Sequence, residues 1–120
     1  MNAKKLVLDF YKSDALINPE VLKEFLHPEI IVEWNSSTGF LKLNHQELIA
    51  MAEKMNDAYI RSIVRIKNII REGNVVSLNY AHFAKTIENP REEMFLAHFF
   101  ATWEIKDEKL FKCYQMSQIL

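Results

Sequence analysis

The chain has 120 residues, 49% of them hydrophobic and 26% charged, with a formal net charge of -1. That balance excludes a disordered chain and removes bulk electrostatic attraction to nucleic acid or anionic lipid. Cys113 is the only cysteine, so no internal disulfide forms, and MNAKKLVLDF meets Asp9 before any long apolar run. One cytoplasmic domain over residues 1–120 is expected, with neither a signal peptide nor a membrane span.

Leu6, Val7, Phe10, Tyr11 and Ile17 recur at helical spacing and predict a first amphipathic helix. Asn18-Pro19 predicts a capped start for a short second helix carrying Val21, Leu22, Phe25 and Leu26, stopped by His27-Pro28. Ile30, Val32 and Trp34 alternate with polar or mixed neighbours and predict a half-buried strand. A turn at 35–39 leads to a short return strand at Phe40–Leu43. Asn44 with Glu47 three residues on predicts a capping box, opening a third helix whose Leu48, Met51, Ala52 and Met55 share a face.

From Ile60 the period changes to two. Ile60, Ser62, Val64, Ile66, Asn68 and Ile70 face one way, and Arg61, Arg65, Lys67 and Arg71 the other. The basic face reads as solvated, with Glu33, Glu104 and Asp107 as possible partners. After a hairpin turn at Glu72-Gly73-Asn74, Val76, Leu78, Tyr80 and His82 share the next strand's face. The following strand puts Phe95, Ala97, Phe99, Ala101, Trp103 and Ile105 on one side, and Met94, Leu96, His98 and Phe100 on the other. A strand apolar on both faces is covered on both. Helices can cover only the concave side, so a homodimer through the Met94, Leu96, His98 and Phe100 face is expected. The fold class is α+β: about three helices against a strongly curved antiparallel sheet, making a cone-shaped cup.

LHPEIIVEW at 26–34, NHQELIAMAEKM at 44–55, IIREGNVVSLNY at 69–80 and HFFATWEIKDEKLFKCYQM at 98–116 cover nearly the whole chain. In order and spacing they resemble the SnoaL-like, or nuclear-transport-factor-2-like, superfamily, which includes ketosteroid isomerases and limonene-type epoxide hydrolases. The resemblance implies a cone fold, a deep apolar pocket and a homodimer packed through the sheets. It also implies where acids belong. The isomerase pattern's base aspartate falls against Trp34, and its buried protonated acid against Ala101, with Thr102 beside it. Its helix tyrosine corresponds to Tyr11 or, in the simplest register, to Phe10. Where cyclases of the group carry an acid on the last strand, this chain has Tyr114-Gln115 and Ser117-Gln118, and no Asp-Arg-Asp set for epoxide hydrolysis is found. A pocket almost free of carboxylates is therefore expected.

His82 is the catalytic candidate, as a general base near neutral pH, with a histidine hydrogen-bonded at the sheet edge as the plainer reading. Tyr11, Trp34, Tyr80, Trp103 and Tyr114 are candidate ligand-binding residues, each presenting an apolar body and one polar tip. Core filling is the plainer reading of the tryptophans and of Tyr80 and Tyr114. His98 is placed at the dimer face. His27, His45, His82 and His98 lack paired ligand spacing, so neither a metal nor a cofactor is expected. Cys113 reads as a small buried hydrophobe. The functional expectation is a pocket for an apolar or aromatic small molecule, with proton-transfer chemistry (isomerisation, cyclisation or dehydration) or simple binding and association as the two readings.

Overall fold

A computed structural model describes residues 2–119; Met1 and Leu120, the ends of the expected domain, lie outside the described residues. Helix α1 spans Ala3–Lys12, and Asn2 caps it by accepting from the Lys5 N–H. Ser13 ends α1: its N–H bonds back to the Asp9 and Phe10 carbonyls, and its hydroxyl donates to Phe10 O at 2.6 Å. A serine that satisfies helix-end carbonyls competes with continuation of the helix. Ile17 consequently leaves the expected α1 stripe and sits in a separate 3-10 turn, Ala15–Ile17.

Asn18 caps α2, Pro19–Phe25, through the Glu20 and Val21 N–H groups. Leu26 belongs already to strand β1, Leu26–Ser36: Pro28 biases His27, the residue before it, toward extended backbone, and the helix ends at Phe25. A hairpin leads to β2, Gly39–Asn44, and α3 follows at His45–Ala58. Its capping box is complete: Glu47 N–H donates to Asn44 Oδ1 at 2.9 Å, and Asn44 N–H to Glu47 Oε1 at 3.0 Å. Strands β3 (Tyr59–Glu72), β4 (Val75–Thr86), β5 (Met94–Lys106) and β6 (Lys109–Gln118) form a meander. No helix among the described residues is long and apolar enough to cross a membrane.

The strand order is β2-β1-β6-β5-β4-β3, in one open sheet with the helices packed on its concave side. Helix α3 carries the chain from the β2 edge to the β3 edge. The meander then returns until β6 reaches β1, and that pair is parallel. The expected all-antiparallel sheet is thus corrected at one pairing. β1 and β6 come from opposite ends of the chain, so no hairpin dictates their relative direction.

Bulges bend the strands and redirect side chains. One on β3, between Ile66 and Asn68, reverses the alternation: Ile69 packs on the core, while Ile70 is 67% exposed, contrary to the face expected for it. Near Tyr59–Arg61 a second bulge leaves Ile60 exposed as well. A third separates His82, paired with Ala97, from Phe83, paired with Phe95. Leu96 is the extra residue. It lines the concave cavity, and Phe95 takes the convex side against Phe83 and His98, with ring centroids 5.7 and 4.9 Å away. Met94 pairs with the cavity-lining Ala84. The face expected for dimerisation therefore keeps only His98 and Phe100, with Phe95 in place of Met94 and Leu96.

On the basic face, Arg65 lies over the Phe83 ring and grips both Glu93 carboxylate oxygens at 2.9 and 3.0 Å, rather than any of the acids expected. Asp107 instead accepts at 3.1 Å from His27 Nε2, since the Nδ1 of that ring already accepts from the Glu29 N–H.

Candidate functional site

Helices and sheet enclose a cavity of about 380 Å³, near the lower end of the roughly 300–1,000 Å³ usual for small-molecule sites. Strand register builds its floor. Tyr80 pairs with Phe99 and Phe99 with Ser117, which puts the three in one row across β4, β5 and β6. The Phe99 ring stacks on Tyr80 at 5.0 Å and 7°, with Trp34 at 5.8 Å and His82 at 6.2 Å around it. Trp34 Nε1 donates to Ser117 Oγ at 2.8 Å, fixing the indole. Helix α3 supplies the opposite wall through Leu48, Met51, Ala52 and Met55, the face its spacing predicts. Ser36, Ser37 and Thr38 of the β1–β2 turn add hydroxyls where the cavity meets the surface.

At the helix end, the Tyr11 hydroxyl accepts from Trp103 Nε1 at 2.9 Å, and the Tyr11 ring lies 4.7 Å from Tyr80. Burial pushes both phenols well above their ordinary pKa, with the neighbouring Cys113 adding to the shift in Tyr11 and Tyr11 itself to that in Tyr80. Burial likewise raises the Cys113 thiol, so it stays protonated and behaves as the expected small hydrophobe.

His82 lines the cavity from β4, an interior strand rather than a sheet edge. Its Nε2 stands 2.8 Å from Ser62 Oγ on β3. Desolvation lowers its pKa from 6.5 to about 4, so the imidazole is neutral near pH 7. Among the described residues no Asp, Glu, Lys or Arg lines the cavity, and burial keeps Tyr11, Tyr80 and His82 uncharged near pH 7. Among the described residues, no three His, Cys, Asp or Glu side chains stand together as a metal site.

The fold brings Tyr11, Trp34, Tyr80, His82 and Trp103 to one cavity. Tyr114 is not among them. It pairs with Thr102 and Glu33, is 47% exposed and lies on the convex face, because its neighbours Cys113 and Gln115 take the inward positions. Ser62 and Ser117 are the polar partners missed from sequence. For Ser62 a signal existed: it is the one hydroxyl on a strand face where Ile60, Val64 and Ile66 are its nearest neighbours.

No family model matches the sequence, and no curated protein does. Solved structures do match in three dimensions. IdmH from Streptomyces antibioticus, a proposed polyketide cyclase, superposes with a TM-score of 0.74 at 9% identity, over 98% of this chain and 92% of that one. A proposed SnoaL-like polyketide cyclase from Shewanella denitrificans gives 0.72 at 11% identity, covering 96% and 89%. The chain has the SnoaL-like fold. AusH from Aspergillus nidulans shares it, at 0.75 and 13% identity over 96% and 82%. In this SnoaL-like cone Trp34 and Ala101, the positions where the resemblance leads one to look for acids, are apolar, and among the described residues no Asp or Glu side chain lines the cavity.

Proposed function

We propose that this protein binds an uncharged apolar or aromatic small molecule in the cone cavity, and that any reaction there is a proton-transfer reaction involving His82. The cavity itself carries the reading: an aromatic floor, hydroxyl and imidazole tips, and, among the described residues, no charged side chain in its lining. Such a lining accepts a neutral ligand without leaving a buried charge unpaired. Trp34, Phe99 and Trp103 line the space rather than plug it, which favours a ligand pocket over a filled association module. Likeness to proposed polyketide cyclases supports the same chemical class.

One observation favours binding without catalysis. The partner of His82 is a serine, where a catalytic base is usually oriented by a carboxylate. A thermal-shift screen with steroids, polyketide-like aromatics and terpene epoxides tests the pocket, since a ligand at about 100 times its Kd stabilises the native state by about 2.7 kcal/mol. No shift with any of them counts against this reading. Incubating the hits with wild type and His82→Phe then separates turnover from binding.

The homodimer belongs to the same proposal. Ile70, Phe100, Tyr114 and Met116 leave large apolar side chains exposed around a groove of about 650 Å³ on the convex face. A second copy set sheet to sheet would cover them.

A further inference from the structure

Ser62 Oγ has one hydrogen-bond partner among the described residues, His82 Nε2 at 2.8 Å. The two lie diagonally across the β3–β4 ladder, where Ser62 pairs with Ala84 and His82 with Val64, within reach of a long side chain. Two proton arrangements satisfy that distance. If Nε2–H donates to Ser62, the serine proton is left without an acceptor among the described residues, and the half-buried Ser62 does not line the cavity. If Ser62 donates to Nε2, its proton is placed, and the one unpaired donor is the ring's own Nδ1–H, on a cavity-lining residue. Either way one donor lacks a protein partner, and it is satisfied best where the cavity has room for water or a ligand. The neutral ring then carries its proton on Nδ1.

Nδ1 makes no hydrogen bond within the described residues, yet no sealed side-chain nitrogen or oxygen among them lacks a partner. That nitrogen is therefore open to space rather than closed off by protein, and His82 is a cavity-lining residue. We infer that Ser62 is a positioning residue that fixes His82 as an Nδ1–H donor toward the cavity, so that the site selects an apolar ligand bearing a hydrogen-bond acceptor, an uncharged carbonyl. In this tautomer His82 polarises a carbonyl and offers no lone pair for abstracting a proton. The role deepens the proposed function and rests on its reading of the cavity as the ligand site. The low proton affinity of His82 agrees with it, since a neutral ring is required.

Two measurements test it, and they fail separately. Two-bond proton–nitrogen NMR on labelled protein at neutral pH reports the tautomer without any ligand. A protonated Nδ1 and bare Nε2 at His82 are expected, with Ser62→Ala raising the Nε2–H population and Ser62→Thr restoring the wild-type pattern. A wild-type ring protonated on Nε2, or one unmoved by Ser62→Ala, overturns the role of Ser62.

Benzophenone and diphenylmethane, the same skeleton with and without a carbonyl, are then titrated against the protein. The ketone is expected to bind several-fold to ten-fold tighter, and His82→Phe to abolish that preference. Equal affinities in wild type overturn carbonyl selection while sparing the pocket. Binding of neither overturns the pocket reading for such molecules, and carbonyl selection with it, while the NMR result still decides the tautomer.

Discussion

Lowering the pH from 7 to 5 should cost this protein stability through His82 in particular. Folding lowers the His82 pKa from 6.5 to about 4 by burying the ring. Between those values the unfolded chain binds a proton that the native state does not. Stability therefore falls as pH drops through the ordinary histidine value, and the loss levels off near the native value, where the folded ring also takes up the proton. The linkage relation puts the deficit at about 2 kcal/mol on going from pH 7 to pH 5. Urea unfolding followed by the fluorescence of Trp34 and Trp103 reads it, with His82→Asn as the reference that cannot titrate. Carboxylates and the other three histidines cancel in the comparison if they act independently. With a urea slope of about 1–3 kcal/mol per molar, wild type should lose roughly 1 M more of its midpoint than the variant. Equal losses in both proteins would refute the claim that His82 is held neutral by burial.

Three further outcomes are expected. Ile69→Asp should destabilise by about 2–4 kcal/mol and Ile70→Asp by under about 0.5 kcal/mol in the monomer, because the β3 bulge sends only Ile69 into the core; equal effects in urea melts would place the bulge elsewhere. Trp103→Phe deletes the only indole donor to Tyr11 and should cost about 1–3 kcal/mol, measured the same way. Phe100→Lys, at a convex-face position 66% exposed, should halve the mass seen by light scattering with little change in monomer stability; an unchanged dimer mass would put the interface on another face.

Much of the architecture was legible in the sequence because it rests on local chemistry. Asn18-Pro19 and the Asn44/Glu47 box cap their helices as short-range hydrogen bonding requires, and the switch from helical to strand period locates the meander. The resemblance, not composition, pointed to Trp34 and Ala101 as the positions where acids would be sought, and the sequence holds none there. Tertiary structure decided what depends on counting residues across strands. A single extra residue at Leu96 exchanges the two faces of β5 beyond it, so the face expected for dimerisation lost Met94 and Leu96. Register placed Tyr114 on the convex side, and it brought Ser62 to His82 from twenty residues away. Strict alternation carries no mark of a bulge, because the same residues satisfy either phase until neighbouring strands fix the pairing.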